Sequence, residues 1–219
     1  MRQKVYIRIL GDFSVTVNGK TCESFTSRNR RCVNLLICLM MQRGKPITSR
    51  QLIRELWGAD TGRRPENALR TRVSRLRGLL NGASPGLGGC IYSEPGAYRY
   101  QSLDHVKVDA LEMLDILDAL PEQPEEARPE GYRRILELYQ GELFLNQENV
   151  NGMMQAGSLR RAYLETMNAY ASLLLERKEY GELADVCRRV LELEPLDEPL
   201  RMALLQALAR LNRPFELDQ

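Results

Sequence analysis

The sequence predicts a mainly α fold with small β elements, divided into an N-terminal domain at 1–104 and an all-α, tetratricopeptide-like domain at 105–219. Two observations lead to this prediction. Short β-branched and aromatic segments alternate with helical segments in the first part, whereas helical periodicity dominates beyond about His105. The charge also changes sign near this position, which is expected of two domains with different partners.

Opposite charges separate the two parts of the chain, although the formal net charge is only +2. Residues 1–107 contain 19 Lys and Arg against 7 Asp and Glu, and residues 108–219 contain 12 against 22. A strongly basic domain favours a polyanionic partner such as nucleic acid. The alternative is a dipolar surface that binds no partner.

Composition and motifs argue against several classes of protein. The chain has no apolar run of the roughly 20 residues that a membrane span needs, and its first residues lack the apolar segment of a secretory signal. Five cysteines without a Cys-x-x-Cys pair indicate buried thiols in a reducing cytoplasm. Since His105 is the only histidine, catalytic triads and histidine-rich metal sites are not expected. We therefore predict a cytoplasmic protein that is not an enzyme and has no cofactor and no membrane partner.

The first domain is predicted to begin with three strands and two helices. Asn18-Gly19 is a strong hairpin turn signal because both residues tolerate positive φ. Thr48 and Gln51 have the spacing of a capping box at the start of the second helix. This helix ends near Trp57, which we expect to pack in the core rather than to stack on a base. The strands lie near 4–10, 13–17 and 20–22, and the helices near 27–42 and 48–57.

The third helix, predicted from Pro65 to Gly82, has the most informative pattern. Proline suits the first helical position and glycine suits a helix end. At about 100° per residue, one narrow arc is apolar and must face the core, and the opposite arc is polar. Six arginines and a single acid, Glu66, lie between Arg63 and Arg77. The apolar arc comprises Leu69, Val73, Leu76 and Leu80, and the polar arc comprises Asn67, Thr71, Ser74 and Arg75.

Three helices followed by a β-hairpin, predicted at 90–93 and 98–100, are the elements of a winged helix-turn-helix. Such a helix fits the major groove of double-stranded DNA, with polar side chains on base edges and arginines on phosphates. Arg75 is the best base-reading candidate because arginine can bond O6 and N7 of guanine together, and Thr71 can touch a thymine methyl. The alternative is a solvated basic face. The predicted DNA-binding residues are Arg63, Arg64, Asn67, Arg70, Thr71, Arg72, Ser74, Arg75, Arg77 and Arg99.

The second domain is predicted to be helical throughout. Residues 179–195 resemble the second helix of a tetratricopeptide repeat. The alternative is a generic helical hairpin, since periodicity does not distinguish the two. The predicted helices lie near 108–120, 130–140, 158–177, 181–193 and 197–211, and the weakest pattern lies at 145–157.

Several motifs resemble those of the SARP-type antibiotic regulatory proteins, and together they extend over nearly the whole chain. In the first domain the resemblance rests on ILGDFSV at 9–15, SRQLIRELWG at 49–58, ALRTRVSRLR at 68–77 and GAYRY at 96–100. In the second domain it rests on VDA at 108–110, YQGEL at 139–143 and LEPLDEP at 193–199.

This resemblance implies an OmpR-like winged helix followed by a bacterial transcriptional activation domain. It further implies a sequence-specific transcriptional activator that binds promoter direct repeats and contacts RNA polymerase or neighbouring copies of itself on DNA. Family members usually continue with another helix beyond the point where this chain ends, so we expect either a fragment of a longer regulator or a shortened member. The alternative function is a helical adaptor that binds a protein or peptide, with a basic domain that binds nucleic acid non-specifically.

Overall fold

A computed structural model describes residues 3–25, 27–58, 64–144 and 150–211. The chain forms two compact units, the first made of Met1–Leu114 and Glu142–Gly157, and the second of Asp115–Gly141 and Ser158–Gln219. A winged-helix region with small sheets is followed by a helical region, which confirms the predicted fold class. The domain boundary at 104/105 stays a prediction, and the first unit contains residues on both sides of it.

The described strands all lie in the first unit, and the second unit is built of helices. The strands are β1 (Val5–Arg8), β2 (Ser14–Val17), β3 (Lys20–Thr21), β4 (Ile47–Thr48), β5 (Ile91–Glu94), β6 (Ala97–Tyr100) and β7 (Val106–Val108). The helices are α1 (Arg30–Met40), α2 (Ser49–Trp57), α3 (Pro65–Ala83), α4 (Asp109–Ala119), α5 (Arg128–Leu138), α6 (Val150–Glu176), α7 (Tyr180–Leu193) and α8 (Glu198–Arg210).

The strands of the described chain form two small sheets in the first unit. In the sheet of order β3-β2-β1-β7, β1 pairs antiparallel with β2 and parallel with β7. In the sheet of order β4-β6-β5, β5 and β6 form the predicted hairpin. Asn18 and Gly19 have φ values of 50° and 82° in the turn between β2 and β3, as this dipeptide predicts.

Helix α2 begins where its capping-box pattern predicts. The N–H of Gln51 donates to Oγ1 of Thr48 at 3.2 Å, and the N–H of Thr48 donates to Oε1 of Gln51 at 3.1 Å. Each bond satisfies a backbone donor that has no intrahelical acceptor. The helix ends at Gly58, whose φ of 59° is a conformation that side chains rarely adopt.

The predicted core arc of α3 is confirmed. Leu69, Val73, Leu76 and Leu80 are each at most 2% exposed. Their burial fixes the rotation of α3 about its own axis, since residues three and four apart share one face of a helix. The polar arc is therefore turned away from the core. Helix α3 packs on α1 and α2 and on the short 3₁₀ segment at Leu87–Cys90.

Residues 106–108 differ from the prediction of a helix that starts at Val108. They form β7, and α4 begins at Asp109. Val106 and Val108 are buried and Lys107 is exposed, which is the alternation of a strand. Pairing with β1, about one hundred positions earlier in the chain, supplies the hydrogen bonds of this short strand. Local periodicity could not reveal so distant a partner.

Asp109 joins the start of α4 to the end of β1. Its carboxylate is fully buried and accepts the N–H groups of Ile9, Leu10 and Ala110 at 2.8–2.9 Å. Burial raises the pKa of Asp109 to about 6, although these three donors and the charge of Arg8 act in the opposite direction. The side chain therefore stabilises a contact between segments that are far apart in sequence.

The second unit is helical, and its helices agree closely with the predicted ones apart from the start of α6. Helix α6 begins at Val150 rather than near 158, while 145–149 lie outside the described residues. The rings of Tyr139 and Tyr163 stack with their centroids 3.9 Å apart. Asp197 caps α8 by accepting the N–H of Leu200 at 3.0 Å. No helix in the described part of the chain is both long enough and apolar enough to cross a membrane.

The cysteines are free thiols, as the sequence predicts. Cys32, Cys38, Cys90 and Cys187 are buried, and Cys22 is half-buried. Burial raises the pKa of Cys90 and of Cys187 to about 12, so these two thiols stay protonated and unreactive at neutral pH.

Candidate nucleic-acid interface

Helix α3 presents most of the predicted DNA-binding side chains on one exposed surface. Pro65 occupies the first turn together with Glu66, whose negative charge suits the positive end of the helix dipole. Arg64 precedes the helix and is also exposed, while Arg63 lies outside the described residues. The exposed members on the helix are Asn67, Arg70, Thr71, Ser74 and Arg75. Because the opposite arc is buried, this surface is the one that α3 offers to a partner.

Arg72 is half-buried and lies against the ring of Trp57. Its guanidinium carbon is 4.2 Å from the ring centroid, the geometry of a cation–π contact. Burial lowers the pKa of Arg72, and the nearby charge of Arg31 lowers it further. Trp57 itself is half-buried, so it is only partly packed in the core, and its ring also contacts Arg72.

Arg77 connects α3 to the β-hairpin. Its Nε and Nη2 donate to the carbonyl oxygen of Ile91 at 3.2 and 2.7 Å, and Nη2 also donates to Oγ of Ser93 at 2.8 Å. These bonds fix the hairpin against the helix. A phosphate contact by Arg77 stays a prediction. It would use N–H groups of the guanidinium that do not bond to the hairpin.

Arg99 lies on the hairpin beside an acid. Its Nε is 2.7 Å from Oε1 of Glu94, and its guanidinium carbon is 5.3 Å from the ring centroid of Tyr92, which faces it across the strands. Glu94 is the last residue of β5, next to the hairpin turn, and its carboxylate partly neutralises the predicted DNA-binding arginine. Arg99 is therefore held by a carboxylate.

The start of α1 contributes residues that the sequence analysis missed. Arg28, Arg30 and Arg31 are exposed in the run SRNRR at 27–31, and the charge of Arg31 contributes to the lowered pKa of Arg72 on α3. Nη2 of Arg75 donates to Oδ1 of Asn29 at 2.9 Å. Four arginines in positions 28–43 were a signal of basic surface, but nothing local linked them to α3.

Two parts of the chain match known families. Residues 26–93 match the family "Transcriptional regulatory protein, C terminal", and residues 107–216 match the "Bacterial transcriptional activator domain". The fold and these matches define a transcriptional regulator with an OmpR-type winged-helix DNA-binding domain and an activator domain. The chain belongs to the bacterial transcriptional activator domain family, in the SARP-like arrangement that its motifs predict.

Two longer proteins are similar to this chain. It is 27% identical over 216 residues to the regulatory protein AfsR of Streptomyces coelicolor, an alignment that includes 95% of this chain and 20% of AfsR. The solved structure of Mycobacterium tuberculosis EmbR in complex with a low affinity phosphopeptide has the same fold, with a TM-score of 0.72 and 20% identity over 97% of this chain and 56% of EmbR. The chain thus spans about a fifth of AfsR and just over half of that EmbR chain.

Proposed function

We propose that this protein is a transcriptional activator that binds direct repeats in promoter DNA through its winged helix and contacts RNA polymerase through its helical domain. The observation that best supports this function is the exposed basic face of α3, in a winged helix that precedes an activator domain. The protein would act in the cytoplasm and without a cofactor. Neighbouring copies would contact each other on the repeats.

The α3 surface has the chemistry that sequence-specific DNA binding requires. We assign base contacts to Arg75 and Thr71, because arginine recognises guanine with two donors and threonine contacts thymine. Asn67 and Ser74 lie beside them and can bond a base edge or a phosphate. The remaining predicted residues are assigned to phosphates, which set affinity and register. These residues are Arg63, Arg64, Arg70, Arg72, Arg77 and Arg99.

The first experiment asks whether binding depends on sequence. The full chain is incubated with a random duplex library, bound duplexes are recovered and sequenced, and gel shifts compare the recovered duplex with a scrambled one. We expect the recovered duplex to bind at least about a thousandfold more tightly, the lower range for specific regulators. Equal affinity for both duplexes would support the non-specific adaptor instead.

The second experiment tests the arrangement on DNA. We expect the recovered site to contain two half-sites in the same orientation, about one or two helical turns apart, so that two copies lie on one face of the duplex. Inserting about five base pairs, half a helical turn, between them should abolish cooperative binding, and about ten should restore it. A palindromic site would contradict head-to-tail binding.

The third experiment tests the polymerase contact. The full chain is added to purified RNA polymerase and a template with the recovered repeats upstream of a weak core promoter, and transcript is measured at saturating occupancy. A control template carries the scrambled repeats. More transcript from the first template alone is expected. Full occupancy without additional transcript would exclude direct activation.

A further inference from the structure

We propose that Asn29 is a positioning residue that orients the guanidinium of Arg75 and thereby supports base recognition by α3. This inference rests on the proposed function, because it gives Asn29 a purpose only if Arg75 contacts a base. Asn29 and Arg75 lie 46 positions apart in sequence, Asn29 at the N-cap of α1 and Arg75 in the middle of α3. No short-range motif connects them.

The side chain of Asn29 does not make the hydrogen bond that is usual at its position. Asn29 is the N-cap residue of α1, a place where asparagine is favoured because its side chain can accept a helix N–H. Here the side chain makes no capping bond. It is only 9% exposed, and both ends of its amide are directed to groups outside the helix.

The hydrogen bonds determine which way the amide points. Nδ2 of Asn29 donates to the carbonyl oxygen of Ser24 at 2.7 Å, and a carbonyl oxygen can only accept. Oδ1 must therefore face the other way, toward Arg75, whose guanidinium can only donate. Nη2 of Arg75 reaches it at 2.9 Å. The bond to Ser24, which precedes α1 in the chain, thus fixes the orientation of the Asn29 amide.

This contact restrains Arg75 while leaving its charge and most of its donors for a partner. A guanidinium has five N–H donors, and Asn29 takes one. Within the described part of the chain, no other hydrogen bond of Arg75 is found. An amide oxygen does not cancel the positive charge as a carboxylate would. Because immobilising a long side chain costs free energy on binding, a pre-oriented Arg75 should recognise its base more strongly.

A purely structural role makes a different prediction. Helices α1 and α3 already pack together, and each has buried residues such as Leu35 and Leu76. If Asn29 only tightened this packing, its removal would lower stability and weaken binding to every duplex alike. If Asn29 positions Arg75, its removal should weaken binding to the preferred duplex alone, since asparagine has no charge to attract phosphates.

The test measures the ratio of Kd values for the scrambled and recovered duplexes with the full chain and with the variants Asn29→Ala, Arg75→Ala and their combination. We expect Arg75→Ala to lower this ratio by about tenfold or more, as loss of a bidentate arginine contact does. Asn29→Ala should lower it by roughly three- to tenfold, with unchanged binding and salt dependence on the scrambled duplex. In the combined variant the ratio should equal that of Arg75→Ala, because the two residues act through one contact.

Two further variants separate positioning from folding. Asn29→Ser keeps a good N-cap residue whose side chain is too short to span from Ser24 to Arg75, so it should fold well and lower the ratio like Asn29→Ala. Asn81→Ala removes another α3 bond, in which Oδ1 of Asn81 accepts the N–H of Gly88 at 2.8 Å. It should reduce thermal stability and leave the ratio unchanged.

Different results would overturn the base contact of Arg75 and the positioning role of Asn29. A wild-type ratio near one, or an unchanged ratio in Arg75→Ala, would overturn the base contact assigned to Arg75 and with it the role of Asn29. A lowered ratio in Arg75→Ala with wild-type ratios in Asn29→Ala and Asn29→Ser would overturn only the positioning role. A combined variant with a lower ratio than Arg75→Ala alone would also overturn it, since Asn29 would then act through another group.

Discussion

The two compact units of this protein hold their arginines with different partners. In the first unit, three arginines of α3 contact neutral groups: an aromatic ring, a side-chain amide, and a carbonyl together with a hydroxyl. In the second unit, several arginines contact carboxylates, while Arg128 and Arg201 donate to backbone carbonyls. The first set is Arg72, Arg75 and Arg77, and the second set includes Arg133 with Glu182 and Arg160 with Glu194.

This difference has a direct electrostatic consequence. A neutral partner fixes the geometry of a guanidinium without cancelling its charge, so the arginine stays attractive to phosphates. A carboxylate partner fixes the geometry and cancels the charge. These three arginines of the winged helix are thus ordered and keep their positive potential, whereas Arg133 of the second unit joins α5 to α7 through Glu182. Arg99 of the first unit differs from these three arginines, because it pairs with the carboxylate of Glu94.

One acid in each unit also illustrates a difference in hydrogen-bond partners. Asp109 of the first unit is bound by three backbone N–H groups, and burial raises its pKa to about 6. Glu182 of the second unit accepts hydrogen bonds from Arg133 and from the hydroxyl of Tyr170, and the Arg133 bond holds its pKa below the usual range. The two carboxyl groups should therefore affect stability in opposite directions as the pH changes.

The largest expected effect concerns Asp109. A raised pKa means that the protonated carboxyl favours the folded state, so its contribution is greatest below about pH 4 and is lost as the pH rises through about 6. The change from 3.8 to about 6 corresponds to about 3 kcal/mol. Amide hydrogen exchange of β1 peptides between pH 4 and 7, corrected for intrinsic rates, should show this loss of protection.

The variant Asp109→Asn should remove this pH dependence, because an amide does not titrate. Below about pH 4 it should be less stable than the wild type, since its NH₂ group cannot accept one of the backbone donors that the carboxyl oxygens bind, and this difference should shrink above about pH 6, where the wild type ionises. Asp12→Asn, at an exposed aspartate of the same unit, is the matched control and should behave like the wild type. Identical pH profiles for Asp109→Asn and the wild type would show that Asp109 does not titrate in this range.

The next largest effect is expected at Glu182. The variant Glu182→Gln should destabilise the second unit by about 1–3 kcal/mol at neutral pH, because Arg133 and the buried hydroxyl of Tyr170 lose a charged acceptor. Since the pKa of Glu182 is lowered, its contribution exists above the ordinary glutamate range and disappears on acidification. Urea unfolding at pH 7 and pH 4 should show a smaller difference between variant and wild type at the lower pH.

An arginine substitution in each unit compares the neutral and acidic partners on DNA. Arg72→Ala should reduce the log–log salt slope of binding by about 0.9, the value expected for one lost phosphate contact. Arg133→Ala removes the same formal charge from the full chain, but it removes it from a carboxylate pair and should leave the slope unchanged. Equal changes of slope in the two variants would mean that total charge, rather than its placement on α3, determines DNA binding.

The smallest effect is expected for an exposed ion pair of the second unit. Nη1 of Arg134 and Oε2 of Glu137 are 2.8 Å apart at i, i+3 spacing on α5. Glu137→Gln should change stability by at most about 0.5 kcal/mol, because exposed pairs of this kind are screened by solvent. Urea unfolding beside Glu182→Gln gives the comparison. A loss as large as that of Glu182→Gln would show that burial does not distinguish the two glutamates.

Local patterns were sufficient for much of the fold and for the location of the candidate site. The capping box at Thr48, the hairpin turn at Asn18 and the buried arc of α3 each depend on residues within a few positions of one another. Because one side of α3 had to be buried, the opposite side with Thr71 and Arg75 had to be exposed. Amphipathic periodicity therefore located the proposed DNA surface without any tertiary information.

Only the tertiary structure decided how the charged groups are held. Asn29 meets Arg75, Trp57 meets Arg72, and the backbone of β1 meets Asp109, although each pair comes from separate segments of the chain. The strand β7 was likewise missed because three residues form a strand only beside a partner. The sequence by itself determined which side chains are basic and which helical face they occupy. Whether an arginine is neutralised or only oriented depends on contacts that form when distant segments pack together.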